Sequence, residues 1–176
     1  MESVVKSGIE FSGHAESTDR SVLSGIVTGQ IAGLIMAVVV MIVFTVFLGK
    51  GPLFPVQVIG SALLGESALH GFQPGAVVAG LVLHQFGPSL LWGFVFGLAA
   101  AKLSVRTSRD ALVLGAAIGV FSMVGPYVLI PVVMKTLQGV DFWNREVPMF
   151  WDWAAHLVFG LSFVLYPAVL AKLSSR

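Results

Sequence analysis

Two histidines, His84 and His156, sit deep inside apolar stretches, and each is followed within a turn by Phe-Gly, as Phe86-Gly87 and Phe159-Gly160. An imidazole so placed is costly in a membrane, faces a bundle interior or a cavity, and marks a functional candidate by default. Three chemistries fit the residue types. Two axial imidazoles would hold a haem b. Two histidines joined by a carboxylate, Glu66 or Asp152, would begin a metal site, although one or two more ligands are needed. Glu66, His84, His156 and Asp152 in series would carry protons or another ion, but the opposite half of the apolar stretches offers no ionisable residue to continue the path. Beside these stands a purely structural role. A histidine next to a proline kink hydrogen-bonds a carbonyl that the proline has freed. Gln30, Gln85, Ser89, Ser122 and Ser162 read similarly, as hydrogen bonds between helices.

Other chemistry is excluded more firmly. The chain has no cysteine, so disulfides, thiolate metal sites, iron–sulfur clusters and covalent haem attachment are absent. It has no Gly-Lys-Ser/Thr phosphate loop, no HExxH, no GxSxG and no carboxylate pair at catalytic spacing. The net charge of +1 and the lack of a basic stripe give nucleic acid no footing, and the glycines follow helix-packing spacing, which leaves no nucleotide site. No enzymatic machinery is expected.

The elements that must position the histidines are membrane spans. Of 176 residues, 56% are apolar and only 11% charged, against about 25% charged in soluble proteins. The mean hydropathy is +0.92. Too few polar side chains exist to cover a water-facing surface. Ala154 to Leu170 carries no charge, is approached by Phe150-Trp151-Asp152-Trp153 and is followed by Lys172 and Arg176, the profile of a membrane-crossing helix with its basic end in the cytoplasm. Three further spans run over 22–48, 75–103 and 111–134. The fold expected is an all-α integral membrane protein, with four transmembrane helices arranged as two tandem helical hairpins. The units are a cytoplasmic arm 1–21, a first hairpin 22–103 with outer segment 49–74, a cytoplasmic loop 104–110, a second hairpin 111–173 with outer loop 135–150, and a tail 174–176. The arm lacks the pattern of a cleaved signal, so the first span is read as retained. Ile9 and Phe11 would pin the arm to the membrane surface as a short helix, or the arm is a plain tail.

After the first span, a helix from Pro55 to about Leu69 would rise only about 22 Å, and it holds Gln57, Ser61 and Glu66. It is read as a short interfacial or re-entrant helix on the outer side. Glycines four apart, Gly25, Gly29 and Gly33, then Gly93 and Gly97, then Gly115 and Gly119, form faces that let helices approach closely. Gly87-Pro88 and Gly125-Pro126 predict kinks. Lys6, Arg20, Lys102, Arg106, Arg109, Lys172 and Arg176 outweigh Lys50, Lys135 and Arg145, which puts both termini in the cytoplasm and Trp143, Trp151 and Trp153 at the outer interface of a cytoplasmic (inner) membrane.

The halves look duplicated. Gly25, Gly29 and Gly33 answer to Ala111, Gly115 and Gly119, His84 to His156, and Ala101-Lys102-Leu103 to Ala171-Lys172-Leu173. Parallel repeats of this kind put the second and fourth spans on one diagonal, with the histidines about 9–12 Å inside the outer ends. At that depth the first span offers Met41, Ile42, Phe44, Thr45 and Phe47, bulky neighbours for a porphyrin. Leu83-His84-Gln85-Phe86-Gly87 and Trp151-Asp152-Trp153-Ala154-Ala155-His156-Leu157 together resemble the YagU-like inner-membrane proteins, a four-span family with no settled activity. The family's last histidine follows a glycine, where this chain has Ala155. The resemblance implies topology rather than function.

The function expected from these residues is that of a non-catalytic accessory subunit in a larger, energy-transducing membrane complex, with bound lipid, other membrane subunits as partners and no cofactor. Glu66, Asp141, Arg145, Glu146, Trp151, Asp152 and Trp153 would dock a partner at the outer face. The alternatives are a haem-b electron carrier or quinone-site anchor using His84 and His156, and a small transporter or channel.

Overall fold

The computed structural model describes residues 2–175, with side chains from Thr18 onward. Nine α-helices cover most of them, and no strand occurs among the described residues. Helix α1 (Glu2–Val46) is a single 45-residue rod. The arm expected before the first span therefore has a helical backbone continuous with it, while the side chains of Ile9 and Phe11 lie outside the described residues. Helix α2 (Phe54–Leu64) follows a turn and ends at Gly65, whose φ of +71° suits glycine. That glycine stops the helix short of the expected Leu69, and residues Glu66–Leu69 form a 3₁₀ turn.

The second span is α3 (Pro74–His84), a π-helical turn over Gln85–Ser89, and α4 (Leu90–Lys102). The third is α5 (Ser108–Ser122), a π turn over Gly125–Leu129, and α6 (Ile130–Gln138). A short α7 (Phe142–Glu146) precedes the fourth span, which is α8 (Met149–Leu161), a 3₁₀ turn over Ser162–Leu165, and α9 (Tyr166–Ser174). Each irregular turn within a span has a proline to account for it. Pro88, Pro126 and Pro167 have no N–H for the carbonyl four residues back, so the ladder re-registers around each of them. Four helices, 18–46, 74–102, 108–138 and 149–174, are long and apolar enough to cross a membrane, and they make the chain a multi-pass membrane protein.

Glycine sets the packing. The first and second spans touch backbone to backbone where Gly25 meets Gly97 and Gly29 meets Gly93, and the third and fourth where Gly115 and Gly119 meet Gly160. The first span also packs along α8 and α9. The second and third spans meet chiefly through α4 and α5, near the turn that joins them. At that end of the bundle Phe96 stacks on Phe163 at 4.2 Å between ring centroids and meets Tyr166 edge-on at 5.1 Å, bridging the second and fourth spans. At the other end α2, α7 and their turns form a cap over a second apolar cluster of Phe44, Val58, Met134, Phe142 and Trp143.

The two kinds of glycine should respond differently to a side chain. A methyl group on Gly119 would lie 2.7 Å from the His156 carbonyl oxygen, whereas one on Gly87 meets nothing within 4 Å. Thermal unfolding in detergent should show Gly119→Val destabilised by about 1–3 kcal/mol or more. Gly87→Ala should be unchanged or slightly stabilised. Equal effects at both positions would contradict this packing.

Candidate functional site

The two π turns face each other across a cavity of about 330 Å³. Its wall takes Leu83, His84, Gly87 and Pro88 from the second span, Ser122, Gly125 and Leu129 from the third, and His156 and Phe159 from the fourth. Met36 of the first span and Ile59, Ala62 and Trp143 of the cap complete it. The lining is almost wholly apolar. The space exists because the second and third spans part above their joining turn, where each helix is widened by its Gly-Pro pair. Leu91, Leu129 and Val133, roughly half exposed, flank the opening on the outside of the bundle.

The histidines, 72 residues apart in the chain, thus share one cavity, but their surroundings differ. His156 is buried, held at one ring nitrogen and faced by a carboxylate at the other. Its Nδ1 lies 2.6 Å from Ser122 Oγ, and Nε2 lies 3.6 Å from Asp152 Oδ1. The Ser122 hydroxyl donates to the Gly119 carbonyl at 2.7 Å, so its one proton is used there. Nδ1 of His156 must then be the donor to Ser122, which leaves Nε2 as a lone pair facing Asp152 in the neutral ring. The other carboxylate oxygen, Oδ2, accepts from Trp143 Nε1 at 3.2 Å, while Oδ1 has no hydrogen-bond partner within the protein. Two facing lone pairs repel, and the 3.6 Å between Oδ1 and Nε2 is too long for a hydrogen bond. Asp152 also borders a smaller cavity of about 80 Å³, beside Trp143, Val147 and Trp151.

His84 is held from one side only. Its Nδ1 lies 3.2 Å from Gln85 Oε1. Gln85 is fixed in turn by the first span, donating from Nε2 to the Gln30 carbonyl at 3.2 Å and to Gln30 Oε1 at 3.1 Å, while Gln30 Nε2 donates to the Gln85 carbonyl at 2.9 Å. Neither histidine takes a proline-freed carbonyl; both use a side chain. Gln30, Gln85 and Ser122 do make contacts between helices, whereas Ser162 bonds back to Val158 within its own.

The residues expected to dock a partner are mostly satisfied within the chain. Glu66 pairs with Arg145 at 3.0 Å, Glu146 with Arg145 at 2.9 Å and with Lys50 at 3.5 Å, so both outer segments are tied together. The hydrogen bond that Arg145 donates to Glu146, with smaller help from Glu66, lifts its guanidinium above its usual range. Asp141 caps α7 by accepting from the Asn144 N–H at 3.2 Å. Asp152 is only 3% exposed, so it cannot serve as a surface contact. Trp143 is buried in the cap, where its indole N–H donates to the Asp152 carboxylate. Trp151 stacks near Phe47 at 4.9 Å, and Trp153 is 44% exposed.

For cofactors the geometry is discriminating. A haem iron would have to displace Ser122 or Asp152 to reach a nitrogen of His156. No cluster of three or more His, Cys, Asp or Glu suited to a metal ion occurs among the described residues. Glu66 sits with Arg145 in the cap and does not join the Asp152–His156 pair. Sequence reasoning did not find the pairings of Ser122 with His156 or Trp143 with Asp152, nor the roles of Gly60, Gly80 and Gly160. Only Asp152 and His156, four apart on one helix, carried a local signal.

No protein-family model matches the chain, and neither a curated protein nor a solved structure does.

The proton assignment around His156 is testable through Asp152. Asparagine there keeps an acceptor for Trp143 and adds a donor for the bare Nε2, so Asp152→Asn should unfold within about 0.5 kcal/mol of the native protein. Asp152→Leu strands both partners and should lose about 1–3 kcal/mol in the same detergent unfolding assay.

Proposed function

We propose that this protein is a membrane-embedded binding protein for a lipid-soluble small molecule, seated between the second, third and fourth spans. One observation carries the reading: an apolar cavity, open sideways between the second and third spans, with His84, His156 and Ser122 in its wall. Its volume of about 330 Å³ lies at the lower end of small-molecule pockets. A water-soluble solute would find almost no polar wall. A molecule already dissolved in the bilayer meets the opening directly, between Leu91 on one side and Leu129 and Val133 on the other. This follows the quinone-site expectation in its chemistry; haem draws less support, because Ser122 holds Nδ1 of His156 and the Asp152 carboxylate stands before its Nε2.

The reading comes with a topology. The Gly25–Gly97 and Gly115–Gly160 contacts support two like hairpins in tandem. Val56 lies against Gly80 and Gly60 against Ala76, so α2 begins deeper along the second span than it ends, which supports a re-entrant helix. The basic residues Lys102, Arg106, Arg109 and Lys172 support a cytoplasmic location for that end of the bundle, in a cytoplasmic membrane. An accessory role by outer-face docking draws less support, since Glu66, Arg145 and Glu146 pair among themselves.

Two tryptophans on the wall, Trp92 and Trp143, report occupancy. In nanodiscs, with Trp151 and Trp153 replaced by phenylalanine, a long-chain alkanol brominated at its far end should quench them saturably. Gly87→Leu with Gly125→Leu should weaken that quenching by about tenfold or more. Both glycines line the cavity and have nothing within 4 Å of an added Cβ, so the larger side chains fill space without a clash. Quenching that rises linearly, and equally in the filled variant, would show mere partitioning into lipid and defeat the reading.

A further inference from the structure

The hydrogen-bond network around the second span fixes which ring nitrogen of His84 carries its proton. Gln85 Nε2 lies against two oxygens, the carbonyl and the side-chain oxygen of Gln30, and only an amide nitrogen can donate to both. The amide orientation of Gln85 is thereby set, and its Oε1 must be the atom beside His84 Nδ1. Ser89 Oγ approaches the same Oε1 at 3.4 Å, again as a donor. Nδ1 of His84 is therefore protonated, and in the neutral imidazole Nε2 is a bare acceptor. No described protein group donates to that nitrogen. His156, on the same wall, has Nδ1 taken by Ser122, and its Nε2 faces the Asp152 carboxylate at 3.6 Å. Of the two histidines, only His84 offers the cavity an accepting nitrogen with no described carboxylate set against it.

We propose that the natural ligand is a lipid-soluble alcohol or phenol whose hydroxyl group donates to Nε2 of His84. The inference rests on the cavity reading above and narrows it. An acceptor in a low-dielectric wall is costly to leave unmatched, so the site discriminates against ligands with no proton to give. A ketone, an ester or an ether presents only lone pairs to it. The apolar remainder of the cavity takes the ligand's hydrocarbon, and the lateral opening admits it from the bilayer. The π turn at Gln85–Ser89 contributes by carrying His84 at its leading edge, with Gln30 of the first span bracing the register from behind.

The test compares two probes in the same nanodiscs: the brominated long-chain alkanol and its methyl ether, identical but for the hydroxyl proton. The alkanol should bind about tenfold tighter or more. His84→Phe, which keeps a ring and removes the acceptor, should abolish the difference. Equal affinity of the two probes for the native protein would overturn this inference and leave the cavity reading standing. Saturable binding of neither would overturn both. A second measurement does not depend on how the variant folds. Nitrogen-15 resonances of ligand-free protein should show His84 protonated at Nδ1 and bare at Nε2, and a proton found on Nε2 would sink the assignment.

Discussion

Backbone-to-backbone contact at glycine governs this molecule. Within a bilayer there is little hydrophobic force between helices, so association depends on how closely they approach and how many atoms then touch. Gly25, Gly29, Gly93 and Gly97 draw the first and second spans together, and Gly115, Gly119 and Gly160 do the same for the third and fourth. No such seam joins the second span to the third over their cap-side halves. The cavity is the remainder of that arithmetic. It lies where the close contacts are absent, and its two flanking helices carry the Gly-Pro pairs that bend them apart.

The prolines and the polar groups are then two aspects of one arrangement. Pro88 removes the donor that the His84 carbonyl would have in a regular helix, and Pro126 does so for Ser122. Both residues stand on the cavity wall. The π turns that absorb these losses change which side chains face inward, so the histidine, the serine and the open space appear together. Around this soft region the neighbours are braced: Gln30 holds Gln85, Trp143 holds Asp152, and Gln138 donates to the Ala62 carbonyl at 3.0 Å to fasten the cap.

Much of this was legible in the chain. Hydropathy alone located four membrane-crossing helices, because a run of about 20 apolar residues matches the thickness of the hydrocarbon core and suits little else. Glycine spacing marked the seams, and Gly87-Pro88 and Gly125-Pro126 marked the distortions. What periodicity could not supply was partnership. Whether His156 faces Ser122 or a carbonyl depends on the rotation of α5 against α8, a property of two helices at once. Trp143 illustrates the same limit. Beside a predicted membrane boundary it reads as an interfacial anchor, yet a buried carboxylate nine residues later claims its N–H. Gly60 and Gly80 were illegible because their neighbours, Ala76 and Val56, belong to a close α2–α3 contact that no single-helix pattern announces.

The central position of α1 bears on how the chain assembles. One face of this helix finds its partner as soon as the second span is made. The other packs on α8 and α9, which are synthesised after the second and third spans. Until then that side, including Met36, must rest against lipid or a temporary guardian in the insertion machinery. Completion of the bundle therefore waits on the C-terminal helix, and a truncation before Met149 leaves the N-terminal rod half-clad.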